Sequence, residues 1–431
     1  MTVKRMVIVG GGAGGLALAS KLGRKLGVRK KLDICLIDKS PIHIWKPKLH
    51  EVAVGAVDRS LDGLLYRDHG LKNGYRFMRG EVTGCDVDAN KLQLAPVFAE
   101  DGELLLAERE VSYDYLVFAL GSVSNTFGTP GALDNCILLD NLHNAELFHQ
   151  KLLDALLQLS ESEDKKLGIG IVGAGATGVE LAAELFHVID TVNEFGYQNV
   201  SDGHLDVHLI EASPKILPQL PERISARAQS LLDRIGVKLH IGVHVKEVTK
   251  EGFITHDGNL IPSDIKVWAA GVQGPEVCKN FTQLPITKRN QIQVDEFMRV
   301  KGIENVYAIG DCVELELEEG KFAPPRAQAA DQMAHQLYKN FVGKLSGRRA
   351  EKAFEYKDYG SLVSLSRFSA VGNLMGNLRS GQFFVEGHVA RLMYMSLYQR
   401  HLSSLFGYFS ALIYRMAQKL LRWQRPKLKL H

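Results

Sequence analysis

The chain has 431 residues, 45% of them hydrophobic and 23% charged, with a formal net charge of +3. That length holds two or three domains with cores of their own, and so small a net charge excludes a polycation built for nucleic acid. Cys35, Cys85, Cys136, Cys278 and Cys312 are scattered and form no C-x-x-C pair, which excludes a disulfide framework or a zinc site of ordinary spacing and fits a reducing compartment.

The N-terminal pattern is not that of a signal peptide, because the first apolar run, residues 6–9, enters a glycine turn at once. Gly10, Gly12 and Gly15 match G-x-G-x-x-G between a predicted strand and a predicted helix. Gly10 permits the tight turn, Gly12 lets backbone approach a pyrophosphate, and Gly15 allows close helix–strand packing. The free N–H groups of the helix start then face the phosphates. The next predicted strand, "LDICLID", ends in Asp38, at the distance expected of an acid that bonds a ribose diol.

The same pattern returns after "IGIV" as Gly173, Gly175 and Gly178, and the following strand, "LDVHLIEAS", carries Glu211. The gap between turn and acid is longer here, and residues 190–206 read as an insertion between helix and strand. A carboxylate at Glu211 accepts from a free 2′-hydroxyl and repels a 2′-phosphate, which predicts NADH over NADPH. Two turns imply two dinucleotides. The economical pair is a resident FAD and a visiting NADH, since a flavin takes a hydride and passes electrons singly or in pairs.

Further along, "VYAIGDC" (306–312) runs an apolar strand into Gly310 and Asp311. Pro324 and Pro325 precede a strongly helical stretch, as at a helix start. The N–H groups near Ala327 and Gln328 would point at whatever lies before that helix. Gln328 and Gln332 are one turn apart on one face, a spacing that by itself favours two surface glutamines on an amphipathic helix. Glu180 sits just beyond Gly178, where an acid also compensates the helix dipole.

These strings, together with "WKPKLHEVAVG" (45–55), "YDYLVFALGS" (113–122), "VWAAGV" (267–272), "PPRAQAADQMAHQ" (324–336) and the tail "RPKLKLH", resemble the type II NADH dehydrogenases. These are the non-proton-pumping NADH:quinone oxidoreductases of the two-dinucleotide-binding-domain flavoproteins, and the likeness is nearest to the bacterial respiratory form. The resemblance implies an α/β fold with two Rossmann-like domains and a C-terminal membrane-interface helical segment. It places the FAD domain at 1–125 and 286–345, the NADH domain at 126–285 and the C-terminal segment at 346–431.

It also implies site residues. Gly10, Gly12, Gly14, Gly15, Asp38, Lys39, Gly121, Asp311 and Ala327 would hold FAD, with Asp311 on the ribitol chain. Gly173, Gly175, Gly178, Glu211 and Gly271 would hold NADH. Gln328 and Gln332 would line a quinone slot beside the flavin, and Glu180 would take part in proton delivery, a role that stands beside dipole compensation. His43 and His50 read as structural or solvated. The acceptor would be a quinone, ubiquinone or menaquinone; no nucleic acid is implied, and a homodimer is left open. A soluble NADH-dependent reductase of an iron–sulfur carrier is the alternative.

The C-terminus favours the lipid-soluble acceptor. Residues 401–423 read as one helix with Leu402, Leu405, Phe406, Phe409, Leu412, Ile413, Met416 and Leu420 on one face and Arg415, Lys419 and Arg422 roughly opposite. Arg391, Arg400, Arg425, Lys427 and Lys429 add cations, and no acid follows Glu386. That is the pattern of a helix lying in a membrane interface. No stretch is long and apolar enough to span a bilayer, so the expectation is a peripheral protein on the cytoplasmic side of the inner membrane.

Overall fold

The computed structural model describes residues 3–99, 101–161, 165–192, 200–347, 350–365, 369–375 and 382–423. Two five-stranded, all-parallel sheets organise it. In the first, Arg5–Val9 is the central strand, flanked by Tyr115–Phe118 and then Val306–Ala308 on one side, and by Asp33–Asp38 and then Arg76–Arg79 on the other. In the second, Leu167–Val172 is central. Ile265–Trp268 and Ile137–Leu138 lie on one side of it, Leu205–Glu211 and Lys238–Ile241 on the other. Each order therefore puts a glycine turn at the carboxyl end of the middle strand, the crevice where open α/β sheets bind ligands.

The duplication extends to the excursions. In the first lobe the antiparallel strands Val82–Asp86, Lys91–Leu94 and Arg109–Ser112 come just before the returning strand. In the second, Val245–Val248, Gly252–Thr255 and Leu260–Pro262 do the same. The parallel strands are apolar on both faces because helices cover both: Ile8, Leu36, Val117, Ile169 and Val207 are fully buried. Each such side chain contributes about 1.5–3 kcal/mol over its exposed state.

The lobes share chain. Cys278, Phe281 and Leu284 pack in the first core, whereas Leu49, Val52 and Val54 pack in the second. The segment that follows the first Rossmann strands thus crosses to the second lobe and carries His50 with it.

At the C-terminal end the structure corrects the single helix expected at 401–423. Gly407 takes φ +80°, a left-handed value that ends a helix. The result is two helices, Gly387–Phe406 and Tyr408–Trp423. The apolar face expected to be continuous is therefore divided. Leu402 and Leu405 are buried against the first lobe, while Phe409, Ile413, Met416 and Leu420 are exposed. Arg415 Nη1 bonds Gln399 Oε1 at 3.2 Å. The side chains of Arg391, Lys419 and Arg422 are not described, and Arg425, Lys427 and Lys429 lie outside the described residues. No helix among the described residues is long and apolar enough to cross a membrane.

The first helix of this pair is fixed to the first lobe. Arg24 Nη2 donates to Ser404 O at 3.0 Å, Ser404 Oγ to Asp331 Oδ1 at 3.0 Å, and His69 Nε2 lies 3.2 Å from Leu405 O. Tyr414 and Gln418 of the second helix reach Leu61 O at 3.2 and 3.3 Å. These residues are part of the packed protein and not a detachable tail.

Candidate active site

The two glycine turns are wired alike. Gly10 N donates to Ile37 O at 2.8 Å, and Gly173 N to Ile210 O at 2.8 Å. Asp38 accepts from Gly11 N (2.6 Å) and Ser40 N (2.8 Å), one on each oxygen. Glu211 accepts from Ala174 N and Ser213 N, both at 2.8 Å, again one on each oxygen. An ionised carboxylate has about four lone-pair sites, so each acid braces its turn and keeps capacity for a ribose diol. Burial pushes the Asp38 carboxyl up, and its two backbone donors pull it back.

The glycines divide by what a side chain would meet. A Cβ on Gly15 would stand 1.9 Å from Gly10 O, and one on Gly178 2.0 Å from Gly173 O, so helix and turn touch only because both lack one. Gly10 and Gly173 take φ +101° and +102°, which glycine alone adopts without strain. Gly12 and Gly175 have nothing within 4 Å of such an atom, and the open space sits at the start of each helix, where a pyrophosphate is favoured. The residues present therefore fit two dinucleotides.

Around the first turn, Gly14 lies against the helix Ala327–Ser346, its would-be Cβ 3.2 Å from Ala330 O. Gly121 takes φ +71° with open space beside it. Asp311 accepts from Ser122 Oγ at 2.9 Å, and Lys46 Nζ donates to Ser122 O at 2.7 Å. Burial raises the Asp311 carboxyl and lowers the Lys46 ammonium, each opposed by the other's charge. Lys46 was not singled out by the sequence reading, although "WKPK" contains it. Lys39 is an exposed partner of Glu81 at 3.3 Å. At the second turn, Gly271 (φ +65°) lies beside Phe127, and Gly173 packs on Ala270.

Ala327 is the first residue of its helix, and Arg326 before it supplies no side-chain cap, which leaves the helix start open to a ligand. Gln328 and Gln332 are engaged with the protein's own backbone. Gln332 Nε2 donates to Lys357 O at 2.8 Å while its Oε1 accepts from Lys357 N at 3.0 Å. Gln328 bonds Gly360 O and Tyr359 N, both at 3.3 Å. Asn340, two turns beyond Gln332, repeats the exchange with Lys352. The face read as a quinone lining is thus also a ladder that clips the extended segment 350–360 to the helix.

Glu180 is buried. Its Oε1 accepts from Ser364 N at 3.0 Å, and its Oε2 lies 3.3 Å from His50 Nδ1. Burial first, then the backbone bond in the opposite sense and the charges of Glu51 and Glu184, hold its carboxyl well above the usual range. His50 is only 2% exposed and burial lowers it to about 4. The solvated reading of His50 is therefore corrected: the helix Leu49–Ala53 buries it against Glu180's helix, Ala176–Val192. His43 is buried too, its Nδ1 2.9 Å from Gly11 O. All five cysteines are free thiols.

Two wired turns on two parallel sheets define a two-dinucleotide α/β oxidoreductase. Residues 4–334 match the pyridine nucleotide-disulphide oxidoreductase family. A type II NADH:quinone oxidoreductase of Haemophilus influenzae is 40% identical over the full length of both chains. One from Staphylococcus aureus is 29% identical over 88% of this chain and 92% of its own. Among solved structures, NDH2 of Plasmodium falciparum in complex with NADH superposes with a TM-score of 0.80 at 20% identity, covering 99% of this chain and all of that one. The chain belongs to the pyridine nucleotide-disulphide oxidoreductases and, within them, to the type II NADH:quinone oxidoreductases.

Proposed function

We propose that this protein oxidises NADH and reduces a quinone at a membrane surface, with FAD as its resident cofactor. The observation that carries the reading is the duplicated turn, one copy for a resident dinucleotide and one for a visiting one. FAD, when bound, accepts a hydride from NADH and passes two electrons on. The chain's residues do the rest. Asp38 and Glu211 brace the turns and bind ribose hydroxyls, and Glu211 repels a 2′-phosphate. The Lys46–Ser122–Asp311 chain holds a polar wall at the ribitol position. The open start of the helix at Ala327 favours negative charge on its side. Glu180, kept in its acid form by burial, holds a proton for the quinone oxygen.

The exposed faces of Phe409, Ile413, Met416 and Leu420 support a lipid-facing last helix. Each cation near an anionic surface adds about 1 kcal/mol. No such face is needed by a soluble reductase of an iron–sulfur carrier. The test is steady-state turnover of purified, yellow protein with NADH and either ubiquinone or menaquinone analogues. Turnover with an iron–sulfur carrier and none with either quinone would overturn the reading.

A further inference from the structure

The His50–Glu180 contact joins two segments that the sequence keeps far apart, and it is built. Helix Leu49–Ala53 packs on both Leu142–Ser160 and Ala176–Val192, and strand Ser361–Leu365 closes the side where Ser364 N meets Glu180 Oε1. Both oxygens of the carboxyl thus face a nitrogen, at 3.0 and 3.3 Å. In the acid form Oε2–H can donate to an unprotonated His50 Nδ1; once that proton has left, both oxygens call for donors.

The tautomer of His50 follows from its other nitrogen. Nε2 is buried and has no hydrogen-bond partner. Beside the Glu180 carboxylate, a ring protonated at Nε2 would leave an orphaned donor there, which is costly, and would set two lone pairs against each other across the contact, whereas a proton on Nδ1 faces an oxygen. The neutral ring therefore presents Nδ1–H to the carboxylate.

We propose that His50 is a positioning residue for quinone reduction: with Ser364 N it fixes the Glu180 carboxyl and stabilises the carboxylate left when that group gives its proton to the quinone oxygen. This rests on the proton-donor reading of Glu180. In the step, the Glu180 O–H bond breaks and a quinone O–H bond forms, the electrons coming from NADH by way of the flavin. The carboxylate stays between its two nitrogens until solvent returns a proton. The charged groups acting on the pair are Lys48 and Glu51 beside His50 (3.6 Å apart) and Glu184 one turn beyond Glu180. Helix Leu142–Ser160 contributes apolar Phe148 and Leu152 to the surrounding core.

The sign is definite. Removing His50 costs the carboxylate a charge-assisted bond and the acid only a neutral one, so Glu180 becomes a weaker acid. The plateau of quinone turnover falls, and its alkaline limb moves to higher pH by about one unit. A role in packing alone lowers the rate without moving the limb.

The experiment compares His50→Leu, His50→Asn and Glu180→Gln, reading the ratio of quinone to ferricyanide turnover with NADH from about pH 5.5 to about pH 9. An asparagine amide can occupy the Nδ1 position and donate. Expected is a ratio roughly tenfold down in His50→Leu with the limb displaced upward, a profile near the parent in His50→Asn, and loss of the limb in Glu180→Gln. If Glu180→Gln removes the limb while His50→Leu leaves it in place, the inference about His50 fails alone. If Glu180→Gln keeps the parent profile, the reading of Glu180 fails and takes this inference with it. Should His50→Leu not fold, an unrescued His50→Asn, with a lowered ratio and no shift, is enough to overturn it.

Discussion

His43 and His401 meet nitrogen to nitrogen, their Nε2 atoms 3.0 Å apart in a buried site. His43 Nδ1 faces Gly11 O at 2.9 Å and must carry a proton to bond it, so a neutral His43 accepts at Nε2 and His401 donates. Trp45 stacks on His401, centroids 5.4 Å apart and planes 16° apart. The first glycine turn is thereby linked through two imidazoles to the helix Gly387–Phe406.

That link predicts acid sensitivity. Burial lowers His43 to about 4; burial first, then the charges of His43 and Lys21, lower His401 as well. The unfolded chain binds protons below about 6.5 while the folded one does not, so stability is lost as pH falls from about 6.5 toward about 4. At pH 5 keeping His43 neutral costs about 2 kcal/mol, and His401 adds to this in the same sense. His401→Phe keeps the stack and leaves His43 Nε2 unpaired, lowering stability at pH 7.5 by about 1–3 kcal/mol. Its melting temperature should then fall less steeply between pH 7.5 and pH 5 than the parent's. Parallel curves by differential scanning fluorimetry would contradict this.

The second turn offers a separation of folding from binding. Gly178→Ala forces a Cβ to 2.0 Å from Gly173 O and should cost about 1–3 kcal/mol or more. Gly175→Ala meets no atom of the protein, so the melting temperature should hold while KM for NADH rises several-fold. A Gly175→Ala protein with unchanged KM would remove the pyrophosphate from that space.

The role proposed for Glu211 predicts the nicotinamide choice. The parent should show kcat/KM for NADH at least about 100-fold above NADPH, the scale of a few kcal/mol of charge repulsion and lost hydrogen bonds. Glu211→Ala should narrow that ratio and also loosen the turn that Ala174 N and Ser213 N brace. Equal kcat/KM values in the parent would refute the assignment.

The glutamine ladder predicts a combined phenotype. Gln332→Leu removes two bonds to Lys357 and should lower stability by about 1–3 kcal/mol together with quinone turnover. A loss of turnover at constant melting temperature would show Gln332 acting on the quinone alone.

Membrane attachment is best tested on exposed side chains. Ile413→Asp with Leu420→Asp should shift the protein from the membrane to the soluble fraction with little change in melting temperature, because neither residue is buried. Deletion from residue 401 is a poor test: it strips Leu402 and Leu405 from the core and the partner from His43. Retention of the double variant on membranes washed in high salt would place the anchor elsewhere.

What the sequence made legible is what the backbone demands locally. The glycines of both turns, and the acids Asp38 and Glu211 at the ends of the next strands, follow from positive φ, close approach and strand length. The His50–Glu180 pair did not, because a buried contact between a short helix and a distant one leaves no periodic mark. The ladder from Gln328 was visible as spacing, but its partner segment has no pattern of its own. The last helix was misread as continuous because the apolar spacing runs through Gly407, and only the backbone angle there separates the buried half from the exposed one.

Gly407 is consequently a natural splice point. The helix before it is fixed to the first lobe, and the helix after it makes polar contacts to Leu61, Asp62, Met395 and Gln399 among the described residues. If the last helix carries the proposed attachment, a chimera that exchanges residues 408–431 for an unrelated amphipathic helix, keeping Tyr414 and Gln418 in register, would redirect the enzyme to another surface without rebuilding its catalytic half.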